Sequence, residues 1–206
     1  MECLKQRIRE QGQVLSGDIV KVDGFLNHRL DVPLIEAIAE DFAAQYQKSG
    51  ATIVMTIEAG GIAVAFALAQ RLGLPMLFAK KGQAKNIGSN VYSADVYSYT
   101  RGSTYGVYVS KRYLQAEDKV LIVDDFLANG QAALGLVSIC EQAGAEVVGI
   151  AIVIEKQWQR GSELLRQRQL PLYSAAIIQS IQKGQVVFAG EEHSKPHSDQ
   201  QTEQER

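Results

Sequence analysis

The 206-residue chain contains little cysteine and little net charge. Its two cysteines, Cys3 and Cys140, lie far apart and show none of the spacings that zinc sites or disulfide frameworks use. We expect Cys140, within the apolar run GLVSIC, to be a buried and reduced thiol. The formal net charge of −2 provides no general basic surface, which argues against nucleic acid as a main partner.

The chain also lacks a sequence feature that would place it in a membrane. No apolar run approaches the ~20 residues that span a bilayer, and the polar N-terminus, MECLKQRIREQG, does not resemble a signal peptide. We therefore expect a cytoplasmic protein with no membrane partner. Apolar residues make up 46% of the chain and charged residues 21%, as in an ordinary soluble domain.

From Gly50 onward, continuous apolar strands alternate with helical segments. This alternation predicts an α/β fold in which a mostly parallel sheet of about five strands has helices on both faces. The predicted strands are 52–57, 75–81, 119–124 and 146–155, with a further strand at GVYVSK, and the predicted helices are 33–49, 62–72 and 130–143.

Three segments fall outside this alternation. Residues 1–32 contain short extended pieces broken by Gly24 and predict a small irregular N-terminal unit, which together with the sheet forms one domain over 1–190. Residues 82–104 are polar and rich in Gly, Ser and Tyr, which is typical of a long loop that closes over a ligand, or of a plain surface hairpin. Residues 191–206 lack apolar side chains and predict a disordered tail.

The stretch VLIVDDFLANGQAAL (120–134) is the strongest functional signal in the sequence. A buried strand ends on two adjacent carboxylates, Asp124 and Asp125, and a small-residue turn then opens a helix. Ligands of open α/β sheets bind at this edge, and the amides of a helix N-terminus suit a phosphate. The acids suit ribose hydroxyls or Mg²⁺. A simple helix start with capping acids is the alternative.

This stretch resembles the phosphate-binding motif of the type I phosphoribosyltransferases, although Asn129-Gly130-Gln131-Ala132 replaces their usual Thr-Gly-Gly/Ser-Thr. Within that family, the chain most resembles the bacterial xanthine phosphoribosyltransferases. The resemblance covers most of residues 1–190 and rests on LKQRIRE, VLSGDIVKVDGFLNHRLD, TIEAGGIA, ADVYSYT, DDFLANGQAALGLVSI and GIAIVIEK.

The resemblance implies roles for individual residues toward 5-phosphoribosyl 1-diphosphate (PRPP). Asp124 and Asp125 are the catalytic acids, on the ribose hydroxyls and the metal. The 5-phosphate loop is Ala128, Asn129, Gly130, Gln131 and Ala132. The diphosphate loop is Glu58, Ala59, Gly60 and Gly61. Family members usually carry Arg or Lys in this last loop, and its absence here passes the task to Lys80 or Lys81, which otherwise read as a solvated strand end.

The resemblance also implies a purine site. Val20, Asn27 and Lys156 are expected to line the base pocket, under a hood formed by about residues 1–32. A lysine ammonium only donates hydrogen bonds, so Lys156 favours a 6-oxo group over an amino group. Asn27 both donates and accepts, and it does not decide between xanthine and guanine. Trp158 either stacks on the base or packs in the core.

The implied reaction joins xanthine to PRPP and gives xanthosine 5′-phosphate and diphosphate, in purine salvage. Mg²⁺ is expected as a cofactor carried by PRPP, and the implied assembly is a homodimer. Two alternatives stay open at this point. One is an enzyme that prefers guanine or hypoxanthine, and the other is a PRPP-sensing regulator of the same fold.

Overall fold

The computed structural model describes residues 1–15, 19–82, 90–98 and 102–191. Within these ranges, eight strands form one sheet in the order β10-β9-β8-β7-β3-β4-β6-β5. The five neighbours from β9 to β4 run parallel, and β10, β6 and β5 are antiparallel additions. The strands are β3 (Ile53–Ile57), β4 (Met76–Lys81), β5 (Val91–Ser98), β6 (Ser103–Ser110), β7 (Lys119–Leu127), β8 (Glu146–Lys156), β9 (Leu172–Gln182) and β10 (Gln185–Phe188).

The mostly parallel sheet is confirmed, but the predicted strand number is too low. In the segment 82–104, Val91–Ser98 is a full strand that pairs with β6. Its side chains alternate, with Ala94 and Val96 turned inward and Asp95 exposed. This alternation is that of an antiparallel strand with one solvated face, and the polar half of the pattern led to its prediction as a loop. Residues 83–89 and 99–101 of this segment lie outside the described residues.

Helices cover both faces of the sheet, as predicted. They are α2 (Val32–Tyr46), α3 (Ile62–Leu72), α4 (Gln131–Ala143) and α5 (Gly161–Gln167). Asp31 caps α2, because its carboxylate accepts the Leu34 amide at 3.2 Å. One apolar cluster joins α2 and α3 to the sheet, and a second joins α4 and α5 to the opposite face.

The N-terminal unit packs beside the sheet as a small separate layer. It consists of α1 (Glu2–Gln11), the antiparallel pair β1 (Gln13–Val14) and β2 (Val20–Lys21), and one π-helical turn at Asp23–Asn27. Leu4 and Ile8 are both buried. The Met1 amino group donates to the carbonyl of Ala175 on β9 at 2.6 Å. These contacts hold the hood unit against the sheet. Residues 192–206 of the predicted tail lie outside the described residues.

Two expectations about absent features can be compared with the structure. Cys140 is buried and free, and burial raises the pKa of its thiol to about 12. This confirms the predicted reduced thiol. In the described part of the chain, no helix is both long enough and apolar enough to cross a membrane.

Candidate active site

The two adjacent carboxylates lie inside the last part of β7. Asp124 is buried, with 5% of its surface exposed, and Asp125 is half-buried. The Asp125 amide donates to Asp124 Oδ1 at 3.0 Å, and the Phe126 amide donates to Asp125 Oδ1 at 2.9 Å. Burial first, and the charge of Asp125 second, hold the pKa of Asp124 well above its usual range. Because β7 continues to Leu127 instead of ending at residue 124, both acids sit on a rigid strand.

The diphosphate loop predicted at residues 58–61 packs directly on these two acids. A Cβ placed on Gly60 would lie 2.1 Å from Asp125 Oδ2, and one on Gly61 would lie 3.2 Å from Asp124 Oδ1. Only residues without a side chain allow this approach, which explains the Gly-Gly pair. The Glu58 carboxylate accepts the Lys81 amide and so ties the loop to β4. The peptide bond between Glu58 and Ala59 is cis.

The predicted phosphate loop, residues 128–132, leads from β7 into α4, which begins at Gln131. Gly130 has φ +79°, and a Cβ on it would lie 2.9 Å from the Cα of Gly161. The Gly161 amide donates to the Ala128 carbonyl at 2.9 Å. The loop is therefore pressed against the start of α5. The first amides of α4 have no carbonyl partner within the helix and point toward the loop, which is a suitable arrangement for an anion.

One cavity brings this loop together with the predicted base-binding lysine. Its volume is about 730 Å³, which lies in the range of small-molecule sites. The chain segments that line it are the residue before β2, the β5–β6 hairpin, the end of β7, the phosphate loop with the start of α4, and the end of β8 with the turn after it. The lining residues are Ile19, Val96, Tyr97, Ser98, Tyr105, Phe126, Leu127, Ala128, Asn129, Gly130, Gln131, Ala132, Ala133, Lys156, Trp158, Gln159 and Arg160.

Lys156 ends β8 at the wall of this cavity. Its Nζ lies 5.7 Å from the centroid of the Phe126 ring, within reach of a cation–π contact. Trp158, two residues on, both lines the cavity and packs against an apolar cluster of the core. Packing of Trp158 in the core is therefore compatible with the predicted stacking on a base. The Trp158 indole N–H is buried and has no hydrogen-bond partner among the described residues.

The two hood residues predicted in the base pocket lie apart from this cavity. The Asn27 side-chain amide donates to Asp125 Oδ2 at 2.8 Å, so the structure brings Asn27 to the acids. Val20 is buried and lines a separate cavity of about 230 Å³ between α1 and β10, while its neighbour Ile19 lines the large cavity. The roles of Val20 and Asn27 toward a base stay predictions.

The two lysines that end β4, Lys80 and Lys81, differ in their surroundings. Lys81 is close enough to Asp124 for its positive charge to lower the pKa of that acid, against the larger effects of burial and of Asp125. Its Nζ also lies 5.2 Å from the centroid of the Tyr105 ring, which lines the cavity. Both lysines are exposed, but among the described residues neither of these contacts is found for Lys80. Lys81 is therefore better placed than Lys80 for the predicted role of meeting the charge of a diphosphate.

Sequence reasoning missed three features of the site. Arg160 lines the cavity beside the phosphate loop, but it stands in a polar turn that carries no periodic signal. Tyr105 falls between the predicted loop of residues 82–104 and the predicted strand at GVYVSK, and it lies on β6. The buried Thr56 hydroxyl contacts the diphosphate loop from below. A threonine inside an apolar strand is common, so its position near the acids becomes visible only in the fold.

Comparison with known proteins shows the family of the chain. Residues 29–191 match the phosphoribosyl transferase domain family, and the chain belongs to that family. Its fold is that of the type I phosphoribosyltransferases. The adenine phosphoribosyltransferase of Thermoanaerobacter pseudethanolicus, for example, superposes with a TM-score of 0.69 at 20% identity, over 85% of this chain and 98% of that one.

Relatives that match more than 90% of the chain share one name, xanthine phosphoribosyltransferase. The xanthine phosphoribosyltransferase of Ruminiclostridium cellulolyticum is 48% identical over 188 residues, which are 91% of this chain and 99% of that protein. The xanthine phosphoribosyltransferase of Bacillus licheniformis is 50% identical over 191 residues, which are 93% of this chain and 98% of that protein. The resemblance predicted from the sequence segments is confirmed.

Proposed function

We propose that the chain is a xanthine phosphoribosyltransferase, which converts xanthine and PRPP into xanthosine 5′-phosphate and diphosphate. The observation that carries this proposal is the single cavity that joins the phosphate loop of residues 128–132 to Lys156. One end of that cavity suits a 5-phosphate and the other suits a 6-oxo base. The names of the relatives, at 48% and 50% identity over almost their full length, support the same reaction.

In this reaction a ring nitrogen of the base attacks the anomeric carbon of PRPP, and the proton that the base loses passes to solvent. The bond from that carbon to the diphosphate oxygen breaks, and the electron pair leaves with the diphosphate. The protein's main contribution is to hold the reactants in line and to balance the leaving charge. Asp124 and Asp125 hold the ribose hydroxyls, and the loop of residues 128–132 anchors the 5-phosphate. The ribose is thereby fixed at both ends.

The diphosphate lies over residues 58–61 in this proposal. The loop itself contributes amides and no cation, so the leaving charge must be met from outside it. Lys81 supports this role because it lies near Asp124, at the end of the neighbouring strand. The Glu58 carboxylate is already engaged by the Lys81 amide, which holds the loop next to that lysine.

The residues present fit a magnesium ion that arrives with PRPP. The described residues contain no group of three or more His, Cys, Asp or Glu side chains able to hold a metal. Mg²⁺ prefers six oxygen ligands and is often held by one or two carboxylates together with substrate phosphates. Asp124 and Asp125 would supply that carboxylate share. When bound, the ion neutralises charge on the diphosphate and ribose oxygens.

Base recognition in this proposal uses Lys156, Asn27 and Val20. Lys156 donates to the 6-oxo group, and Asn27 meets the 2-oxo group or a ring nitrogen. Asn27 is bonded to Asp125 in the described structure, so it must exchange that partner for the base. Val20 reaches the base only if the hood shifts, because it now faces the cavity between α1 and β10.

We also propose that the enzyme is a cytoplasmic homodimer. Large apolar side chains are exposed beside the diphosphate loop, with Phe66 at 63% and Val32 at 61% of full exposure. A second copy of the chain is the occupant that we assign to this surface. Sedimentation equilibrium should give a mass of two chains for the wild-type protein. The Phe66→Glu variant should give the mass of a single chain. A wild-type protein that sediments as a monomer would contradict the assembly.

Product analysis tests the proposed reaction. Purified protein, xanthine, PRPP and Mg²⁺ should yield xanthosine 5′-phosphate and diphosphate in equal amounts, with many turnovers per chain. A PRPP-sensing regulator would bind PRPP without forming either product. An enzyme that prefers guanine or hypoxanthine would form the corresponding nucleotide faster from those bases.

A further inference from the structure

Thr56 is a buried polar residue without an assigned task. It lies in β3, whose five residues are all buried, and none of its own surface is exposed. Its hydroxyl has no hydrogen-bond partner among the described residues. A buried hydroxyl without a partner destabilises a protein. We therefore expect the Thr56 hydroxyl to gain a hydrogen-bond partner in another state of the site.

The surroundings of Thr56 identify that partner. A Cβ placed on Gly61 would lie 2.2 Å from Thr56 Oγ1 and 3.2 Å from Asp124 Oδ1. The hydroxyl and the carboxylate thus flank the same glycine, and the missing side chain leaves the space between them open. Thr56 and Asp124 lie on β3 and β7, which are adjacent parallel strands. Among the groups that meet at Gly61, the Asp124 carboxylate is the acceptor that a hydroxyl can serve.

We propose that Thr56 is a positioning residue, whose hydroxyl donates a hydrogen bond to the Asp124 carboxylate when that carboxylate engages the ribose hydroxyls of PRPP. The inference rests on the proposed role of Asp124. In the complex, the Thr56 hydroxyl orients Asp124 from the protein side while the ribose hydroxyls bind the carboxylate from the substrate side. Gly61 is then required for a second reason, because a side chain there would separate the two groups.

Thr56→Val tests this inference, since it keeps the shape of the side chain and removes only the hydroxyl. A hydrogen bond to a charged group is lost with substrate bound, so kcat/KM for PRPP should fall roughly 10-fold or more. The KM for xanthine at saturating PRPP should change less than about twofold. The melting temperature should stay equal or rise, because an unpartnered buried hydroxyl is removed. Thr56→Ser should restore most of the activity.

Thr52→Val is the control at the residue just before β3, where the threonine is exposed and its hydroxyl already has partners. The Thr52 hydroxyl donates to Asp118 at 3.2 Å and accepts the Lys119 amide at 2.9 Å, far from the acids. This variant should lose stability and keep its kcat/KM for PRPP. Thr56→Val should therefore lower activity and keep stability, whereas Thr52→Val should lower stability and keep activity.

The outcomes separate the inference from the proposal on which it rests. Full activity of Thr56→Val overturns the inference, and so does an equal loss in Thr56→Val and Thr56→Ser. A joint fall of stability and activity in Thr56→Val also overturns it, because that is the behaviour of a structural residue. Full activity of Asp124→Asn overturns the role of Asp124 itself. A large loss in Asp124→Asn with none in Thr56→Val overturns the role of Thr56 alone.

Discussion

Asp124 is a carboxylate in surroundings that disfavour its charge. It is buried, and Asp125 carries like charge one residue away. Both features raise its pKa, so the free protein favours its protonated form over a wider pH range than usual. Substrate hydroxyls that donate to the carboxylate favour the ionised form instead. At this residue, ligand binding and charge are therefore coupled.

Asp124→Asn should stabilise the free protein at neutral pH, because the amide keeps an acceptor for the Asp125 amide and removes the buried charge. The wild-type acid has a folded-state pKa above its unfolded value of 3.8. Its stabilising contribution is thus complete below pH 3.8 and is lost as the pH rises through the folded pKa. The advantage of Asp124→Asn in melting temperature should grow from acidic to neutral pH, while turnover falls about 10-fold or more.

Thermal unfolding of both proteins across this pH range measures the effect. A constant difference in melting temperature would show that the carboxyl has an ordinary pKa. Asp125→Asn is the matched comparison for the loss of turnover, since Asp125 is the less buried of the two acids. Full turnover in both single variants would contradict the role of the pair.

Lys156 should select an oxo group over an amino group at purine position 6. A charge-assisted hydrogen bond to the 6-oxo oxygen is worth roughly 1.5–3 kcal/mol, or about 10- to 150-fold in rate. Lys156→Ala should therefore lower kcat/KM for xanthine by about that factor and leave the KM for PRPP almost unchanged. Lys156→Gln offers an acceptor as well, so it should narrow the gap between xanthine and adenine. Unchanged discrimination in both variants would place the lysine outside the pocket.

At the scale of elements, three strands deliver their loops to one edge of the sheet. β3 leads to the diphosphate loop, β7 to the phosphate loop and β8 to Lys156. This much could be predicted, because continuous apolar runs followed by Gly or acid residues mark strand ends in a parallel sheet. The β5 strand was only one of two alternatives, because a polar segment with one solvated face is typical of a loop as well as of the surface hairpin that β5 and β6 form. The contact of Thr56 with Gly61 depends on the pairing of β3 with β7 and has no local sequence signal.

Gly130→Ala should weaken PRPP binding through the phosphate loop. The residue has φ +79°, and a Cβ would press on the Gly161 backbone at 2.9 Å. The strain costs about 1–2 kcal/mol, and the displaced loop should raise the KM for PRPP about 10-fold or more. The KM for xanthine at saturating PRPP should change much less.

Gly73→Ala is the control for this prediction. Gly73 ends α3 with φ +67° and has open space where a Cβ would stand. It should lose similar stability without a change in the KM for PRPP. If both glycine variants alter that KM equally, the effect comes from general destabilisation, and the assignment of the phosphate loop fails.

At the scale of the whole molecule, the hood and the β5–β6 hairpin reach different parts of the sheet edge. Asn27 of the hood reaches Asp125, and Tyr97 and Tyr105 of the hairpin line the cavity opposite the phosphate loop. The prediction that residues 82–104 close over PRPP stays open, since the described part forms strands. Family membership was available from sequence segments. The separation of Val20 from the cavity could not be predicted from the sequence, because it depends on how the hood packs against the sheet.

Above all, we expect this cavity to join PRPP to a 6-oxopurine and to prefer xanthine. The most direct measurement is kcat/KM for xanthine, guanine, hypoxanthine and adenine with PRPP and Mg²⁺ under identical conditions. The predicted order places xanthine first and adenine last, with adenine lower by about 100-fold or more, because its amino group leaves Lys156 without an acceptor. Adenine used as efficiently as xanthine, or guanine used better than xanthine, would contradict the account.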